Sequence, residues 1–396
     1  MFRTDKLKKS SLSIAIVSLF VATFSKAQVL DKTVLTVEEL RIKKAVALMP
    51  EIANRLSQRV DSYRQQVNRA NNYTALTQLT MRHGSALWLD AKTSFNQLND
   101  YDDRPLYWAR LQMTKALRSA PAFAELFANQ QHKLLWTLEL LSRGQQDINF
   151  NKNADKKILL TGFDPFFLDR HIDQSNPSGV VALALDDVVV SINGQTAEIE
   201  VLIVPVRFAD FDQGMIEEML TPYVQQKSVD MVLTVSMGRE DFDLERFPAL
   251  RRSANAPDNQ NVLTGATKST PLVPQLKGKP LSGPEFVEFS LPVSAMKKAL
   301  GKYQVHDNRK VSTLAGGTVN AQSLSDIIKH TSVTGSGGGY LSNEISYRSI
   351  LLRDKYNLSL PVGHIHTPKI KAFDQQALMD IVNQTKGIIT QGVSAL

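Results

Sequence analysis

Residues 158–166 read Ile-Leu-Leu-Thr-Gly-Phe-Asp-Pro-Phe. A short unbroken apolar run that stops at a glycine is the pattern of a strand buried on both faces, as in a parallel sheet. Three more runs share it: Ile199 to Val206, Met231 to Val235 and Leu360 to Ile365. Helical spacing fills the intervals at Met215 to Gln225, Val293 to Leu300, Tyr340 to Arg353 and Asp374 to Lys386. Pro177, after Asn176, suits the first position of a further helix. Strands alternating with helices over residues 151–396 predict a three-layer α/β fold, a mainly parallel sheet with helices on both faces. In such sheets functional groups gather beyond the carboxyl ends of the strands.

Upstream of this stretch the period changes. Leu40, Ile42, Ala45, Leu48 and Ile52 recur at three and four residues, and so are read Leu76, Leu79, Met81, Leu87 and Leu89, and then Leu134, Leu135, Leu138 and Leu141. Residues 28–150 are therefore expected to form an all-α helical domain, with Trp88, Trp108 and Trp136 in packing roles. No chemistry is assigned to it; contact with a protein partner or a second copy is the role expected. Residues 1–27 combine Lys6, Lys8 and Lys9 with an uncharged, mostly apolar stretch from Ser11 to Phe24, then Ser25 and Ala27 as small residues before a cut. That is the pattern of a cleaved signal peptide, and it places the mature chain in a periplasmic or secreted location, with no membrane span after cleavage.

Composition narrows the chemistry. The 396-residue chain has 46 Lys and Arg against 39 Asp and Glu, but five of those cations and one acid lie within residues 1–27. The remainder carries a net charge of +3, so no nucleic-acid partner is expected. Zero cysteines exclude disulfides, thiolate metal sites and thiol catalysis. Seven histidines without a His-Glu-x-x-His pair argue against a metal, and Gly335 to Gly339 lacks the residues of a phosphate loop or dinucleotide fingerprint, so no cofactor is expected.

Three residue types remain that together suit acyl transfer. Ser342 follows the glycine-rich run Gly335 to Gly339 and opens a helical pattern, where free amides can hold an oxyanion. His366 ends the last apolar run two residues after His364. Glu245 follows the Ser236-Met-Gly-Arg239 end of the Met231 run. Nucleophile, base and orienting acid can be drawn from them, although a serine at a helix start is ordinarily a cap and Glu245 beside Arg246 is equally a surface pair.

In order, these segments resemble pyroglutamyl peptidase I, or pyrrolidone-carboxylate peptidase. Leu159 to Phe166 with Asn176 to Ser178, then Gly238-Arg239 with Glu245-Arg246, Ala254 to Asn259, Gly338 to Glu344 and Gly363 to Pro368 are similar to its five motifs, over about residues 156–390. The resemblance implies a phosphorylase/hydrolase-like fold, His366 as general base, Glu245 as its orienting acid, and Phe163, Phe166, Asn176 and Arg239 as substrate-binding residues, the two phenylalanines sandwiching a lactam ring. It also implies a small peptide or amide as substrate. Ser342 stands where that family has its catalytic cysteine, and Asn255 where it has an arginine; the usual glutamine before Gly238 is missing, and about 20 residues around Val319 to Thr334 are extra. Two readings follow: a serine-dependent hydrolase cleaving after an N-terminal pyroglutamyl or similar cyclic residue, and a catalytically degenerate relative that recognises peptide ends or a protein partner.

Overall fold

The computed structural model describes residues 35–356 and 359–396. The expected signal peptide, residues 1–27, lies outside the described residues. Residues 37–141 contain only helices: α1 Val37–Leu48, α2 Pro50–Ala53, α3 Ser57–Arg69, α4 Tyr73–Leu98, α5 Arg104–Ser119, α6 Pro121–Ala124 and α7 Ala128–Leu141. Thr36 and Glu39 form a reciprocal capping box at the start of α1, and the Asn72 side chain caps α4. No described helix is long and apolar enough to cross a membrane.

From Lys156 onward strands and helices alternate. The strands are β1 Lys156–Phe163, β2 Val188–Ile192, β3 Gln195–Val204, β4 Met231–Met237, β5 Phe242–Glu245, β6 Gln275–Leu276, β7 Lys279–Pro280, β8 Val305–Asn308, β9 Lys310–Thr313, β10 Gly317–Asn320, β11 Ser332–Thr334 and β12 Val362–Thr367. The helices are α8 Pro177–Leu185, α9 Phe208–Asp212, α10 Met215–Gln225, α11 Val293–Met296, α12 Leu341–Lys355 and α13 Gln375–Val393. Seven strands form one sheet in the order β2-β3-β1-β4-β12-β5-β8. β3, β1, β4 and β12 run parallel; β2 is antiparallel to β3 and β5 to β12. The sheet is thus mixed with a parallel centre, an α/β fold. Strand order reverses direction at β1, so the right-handed rule for such crossovers places α8 on one face and α10 and α12 on the other. α8 packs on α13, and α10 on α12.

One apolar cluster runs through both parts of the chain. It joins Val60, Tyr63, Trp88 and Leu138 of the helical region to Ile158, Leu160, Val201 and Ile203 of the sheet, and continues to Ile388 in α13. The extra residues around Val319 to Thr334 form part of a separate three-stranded sheet, β10-β9-β11. Of the expected helices, that beginning at Val293 stops at Met296, where the chain turns out toward the exposed Leu300.

Candidate functional site

Beyond the carboxyl ends of β1 and β4, next to the point where strand order reverses, lies a cavity of about 300 Å³. Phe163, Phe166, Phe167, Val206, Met237, Ala254, Ala256, Tyr340 and Leu341 give it apolar walls, and Asn176, Ser236, Gly238 and Ser342 also line it. Each wall has a sequence cause. Gly162 has no room for a Cβ, which would sit 2.2 Å from the Ser178 carbonyl oxygen, so α8 closes directly on β1. That glycine therefore serves helix packing. Phe163 then enters the cavity and stacks on Phe211 with centroids 6.3 Å apart. Phe167, at φ 64°, turns the chain so that its ring lies 4.2 Å from that of Phe166.

Ser342 sits in the first turn of α12, whose amino end is tied down on several sides. Asn343 exchanges both side-chain hydrogen bonds with the backbone of Ala249, at 2.9 and 2.7 Å, and Glu344 forms a buried pair with Arg252 at 2.6 Å. The Gly339 carbonyl accepts from the amides of Ser253 and Ala254. Gly335 and Gly338 close a tight turn on each other, and Ser336 is bonded to Phe247, so much of the glycine-rich run is not free to face a ligand. The amides of Leu341 and Ser342, in the first turn of the helix, have no acceptor among the described residues.

His366 and Glu245 meet. β5 runs antiparallel to β12 with His366 opposite Asp243, and the His366 Nδ1 lies 2.5 Å from Glu245 Oε1. Both residues are buried, and Asn308 Nδ2 donates to the other Glu245 oxygen at 2.8 Å and to the Ser336 carbonyl at 3.0 Å. The carboxylate thereby fixes the ring with its Nε2 unprotonated when neutral, the tautomer a general base requires. Ser342 is brought near this pair through Gly337: its hydroxyl donates to the Gly337 carbonyl at 3.3 Å, and a Cβ on Gly337 would lie 3.5 Å from His366 Cε1 and 3.6 Å from Glu245 Cγ. No hydrogen bond joins Ser342 to His366 among the described residues.

The other expected site residues divide. Phe163 and Phe166 line the cavity. Asn176 also lines it, but its side-chain oxygen is fully engaged: Oδ1 accepts from the Ser178 amide and hydroxyl, capping α8, while Nδ2 donates to the Asp164 carbonyl at 2.8 Å. Arg239 does not line the cavity. Its side chain is half exposed and pairs with Asp243 at 2.7 Å, 3.9 Å from Glu245, because β5 carries both acids past it. Asn255 is exposed between the two cavity alanines.

Sequence reasoning did not find the part the helical region plays. Asp164 is buried between Arg110 at 2.8 Å and Arg143 at 2.8 Å, and their charges hold its carboxyl below the usual range despite burial. Asp103 accepts from the Ser175 hydroxyl at 2.6 Å and the Asn176 amide at 3.1 Å; burial pushes its pKa up to about 8. Arg41 reaches Asp169 at 2.8 Å and Asn261 at 3.1 Å, and Glu38 accepts from Gln260 at 2.6 Å. Paired residues so far apart in sequence leave no periodic signal. Elsewhere, Asp186, Asp187 and Glu200 bring carboxylate oxygens within 4.8 Å of one another, and the Lys92 ammonium lies 2.5 Å from Asp186 and 2.8 Å from Asp187, supplying the cation this cluster calls for.

Fold and site together define an α/β protein with a small apolar cavity beside a buried His-Glu pair. Comparison with known proteins gives two sets of likenesses. The family model described as the PA0049 N-terminal domain matches residues 22–139, and that of the PA0049 C-terminal domain matches residues 157–282 and 303–371. The chain is 28% identical over 389 residues to "Uncharacterized protein PA0049" of Pseudomonas aeruginosa, covering 75% of this chain and 70% of that protein. Among solved structures it is similar to pyrrolidone carboxyl peptidase of Pyrococcus furiosus: a mutant form of that enzyme at 19% identity and a TM-score of 0.41, covering 61% of this chain and 99% of that one, and a structure of the enzyme reported with its Cys-free mutant at 18%, 0.41, 60% and 99%. The resemblance to these peptidases is distant.

Proposed function

We propose that the chain is an exported hydrolase of small amides, with an N-terminal pyroglutamyl or similar cyclic residue as the acyl part of its substrate. The observation that carries the reading is the buried His366–Glu245 pair at 2.5 Å, one glycine away from a serine in the first turn of a helix that lines an apolar cavity. In the reaction, the Ser342 oxygen bonds to the substrate carbonyl carbon while its proton passes to His366 Nε2. The amides of Leu341 and Ser342 face the developing oxyanion. The imidazolium, held by Glu245, protonates the leaving amine as the carbon–nitrogen bond breaks, and water, activated by the same histidine, then releases the acid. The hydroxyl must first rotate from the Gly337 carbonyl toward His366. Phe163 and Phe166 offer a ring-sized apolar surface for the acyl part.

A second reading rests on that same rotamer. With its hydroxyl on Gly337 and not on His366, the cavity serves recognition alone, and the chain binds peptide ends without cleaving them. The deciding experiment is turnover of pyroglutamyl amides by the mature chain beside Ser342→Ala and Ser342→Cys. The hydrolase reading expects loss of activity in the first and a rise in the second, since a thiol ionises near pH 8.5 and a serine hydroxyl scarcely at all. No turnover in any of the three supports recognition.

A further inference from the structure

Four side chains lie on one face of the sheet under the cavity: Thr234 and Ser236 on β4, His364 and His366 on β12, in register. Only His366 has a carboxylate. The His364 ring instead has Thr234 Oγ1 2.8 Å from its Nδ1 and Ser236 Oγ 2.8 Å from its Nε2, and Thr234 Oγ1 lies 3.3 Å from the Gly363 carbonyl oxygen. His364 and Thr234 are fully buried, and Ser236 lines the cavity.

With the Thr234 hydroxyl proton on the Gly363 carbonyl, the direction of the other protons in this row follows. A carbonyl oxygen only accepts, so Thr234 donates its one hydroxyl proton to Gly363. Thr234 is then an acceptor toward His364, which donates from Nδ1. Burial, with His366 4.8 Å away, depresses the pKa of the His364 ring well below its ordinary value, so the ring is neutral and Nε2 bears a lone pair. Ser236 therefore donates to Nε2. Its proton is committed, and only oxygen lone pairs face the cavity.

We propose that Ser236 is a specificity-determining residue that accepts an N–H from the ligand, so that the cavity selects a cyclic secondary amide over a ring of the same size without that proton. This rests on the cavity being the ligand site, as in both readings above, but not on hydrolysis. Asn176 cannot take the role, because its Oδ1 already accepts from the Ser178 amide and hydroxyl. Nor does the row supply a ready donor: a ligand whose only polar group is a carbonyl finds lone pairs opposite lone pairs at Ser236.

The test compares two probes of matched shape, 2-pyrrolidone and cyclopentanone, titrated into the full chain and followed by NMR shifts. Wild type is expected to bind the lactam about tenfold more tightly, the value of one hydrogen bond between neutral groups. Ser236→Ala should bring that ratio to about one. Thr234→Val removes the acceptor at Nδ1, leaving His364 free to carry its proton on Nε2 and donate to Ser236, whose own proton then turns to the cavity; the ratio should fall below that of wild type. An unchanged ratio in Ser236→Ala, or no binding of 2-pyrrolidone by wild type, overturns the proposal. Loss of pyroglutamyl-amide turnover in Ser236→Ala with the binding ratio intact also overturns it, since the hydroxyl would then serve the reaction. Failure of the hydrolase reading is seen separately, as absence of turnover with the binding ratio preserved.

Discussion

The two parts of the molecule divide the labour of one site unequally. Among the described residues, those from Phe163 onward supply every wall of the cavity, while the helical region supplies none and instead sends Asp103, Arg104, Arg110 and Arg41 into the loop behind those walls. Arg104 donates to the Asp173 carbonyl at 2.8 Å, Arg110 holds Asp164, and Arg41 holds Asp169. The loop between β1 and α8 thus owes its shape to polar and charged side chains contributed from another part of the chain. A pocket edge made of loops is only as well defined as its backing, and here the backing is polar: a buried ion pair at Asp164, a buried carboxyl at Asp103 and a partly exposed pair at Asp169.

The strongest way to break this comparison is at Asp164. Arg143→Met removes one of its two cations and is expected to cost about 3–5 kcal/mol in urea unfolding, the usual consequence of leaving a buried charge short of its partner. A cost under about 1 kcal/mol would mean that the ionic backing is dispensable. Asp103 sharpens it through pH. Its pKa rises from 3.8 unfolded to about 8 folded, so the native state holds a proton that the unfolded chain gives up. Stability from this group is full below about pH 4 and declines as pH rises toward about 8, at most about 1.4 kcal/mol per pH unit. Asp103→Asn keeps one oxygen that can accept from both Ser175 and Asn176 and should flatten that decline, read as urea midpoints across the window.

Smaller effects are expected on the cavity side. Asn176→Ala loses the cap of α8 and the tie to the Asp164 carbonyl, about 1–2 kcal/mol in the same unfolding measurement. Arg239→Ala removes a half-exposed pair and should change stability by no more than about 1 kcal/mol. A larger loss there would show that Arg239 matters to the Asp243 and Glu245 carboxylates beyond its surface position.

How far the sequence could be read follows from the kind of signal each element leaves. β1, β4 and β12 announce themselves because strands covered on both faces are apolar throughout, and α10 spans the expected Met215 to Gln225. The short β5, which carries Glu245, has four residues and no period to detect, so its antiparallel place beside β12 was not legible even though Glu245 itself was. Polar residues were harder. The pattern that marks Asn176 does not show that the helix cap engages its amide, and nothing marks Ser236, which gains its meaning from His364, 128 positions away. The Arg110, Arg143 and Asp164 cluster is silent for the same reason, since attraction between charges has distance dependence in space and none along the chain.

The unbroken apolar cluster linking α3, α4 and α7 to β1, β3 and α13 bears on how this protein is handled at the bench. Severing the chain between Leu141 and Lys156 would strip hydrocarbon bare on both fragments and strand Arg110 and Asp164 on opposite pieces, so neither fragment would make a faithful reagent. Heat or denaturant should melt the two parts in a single step, and a search for what the helices do is best made by point substitution in the intact molecule.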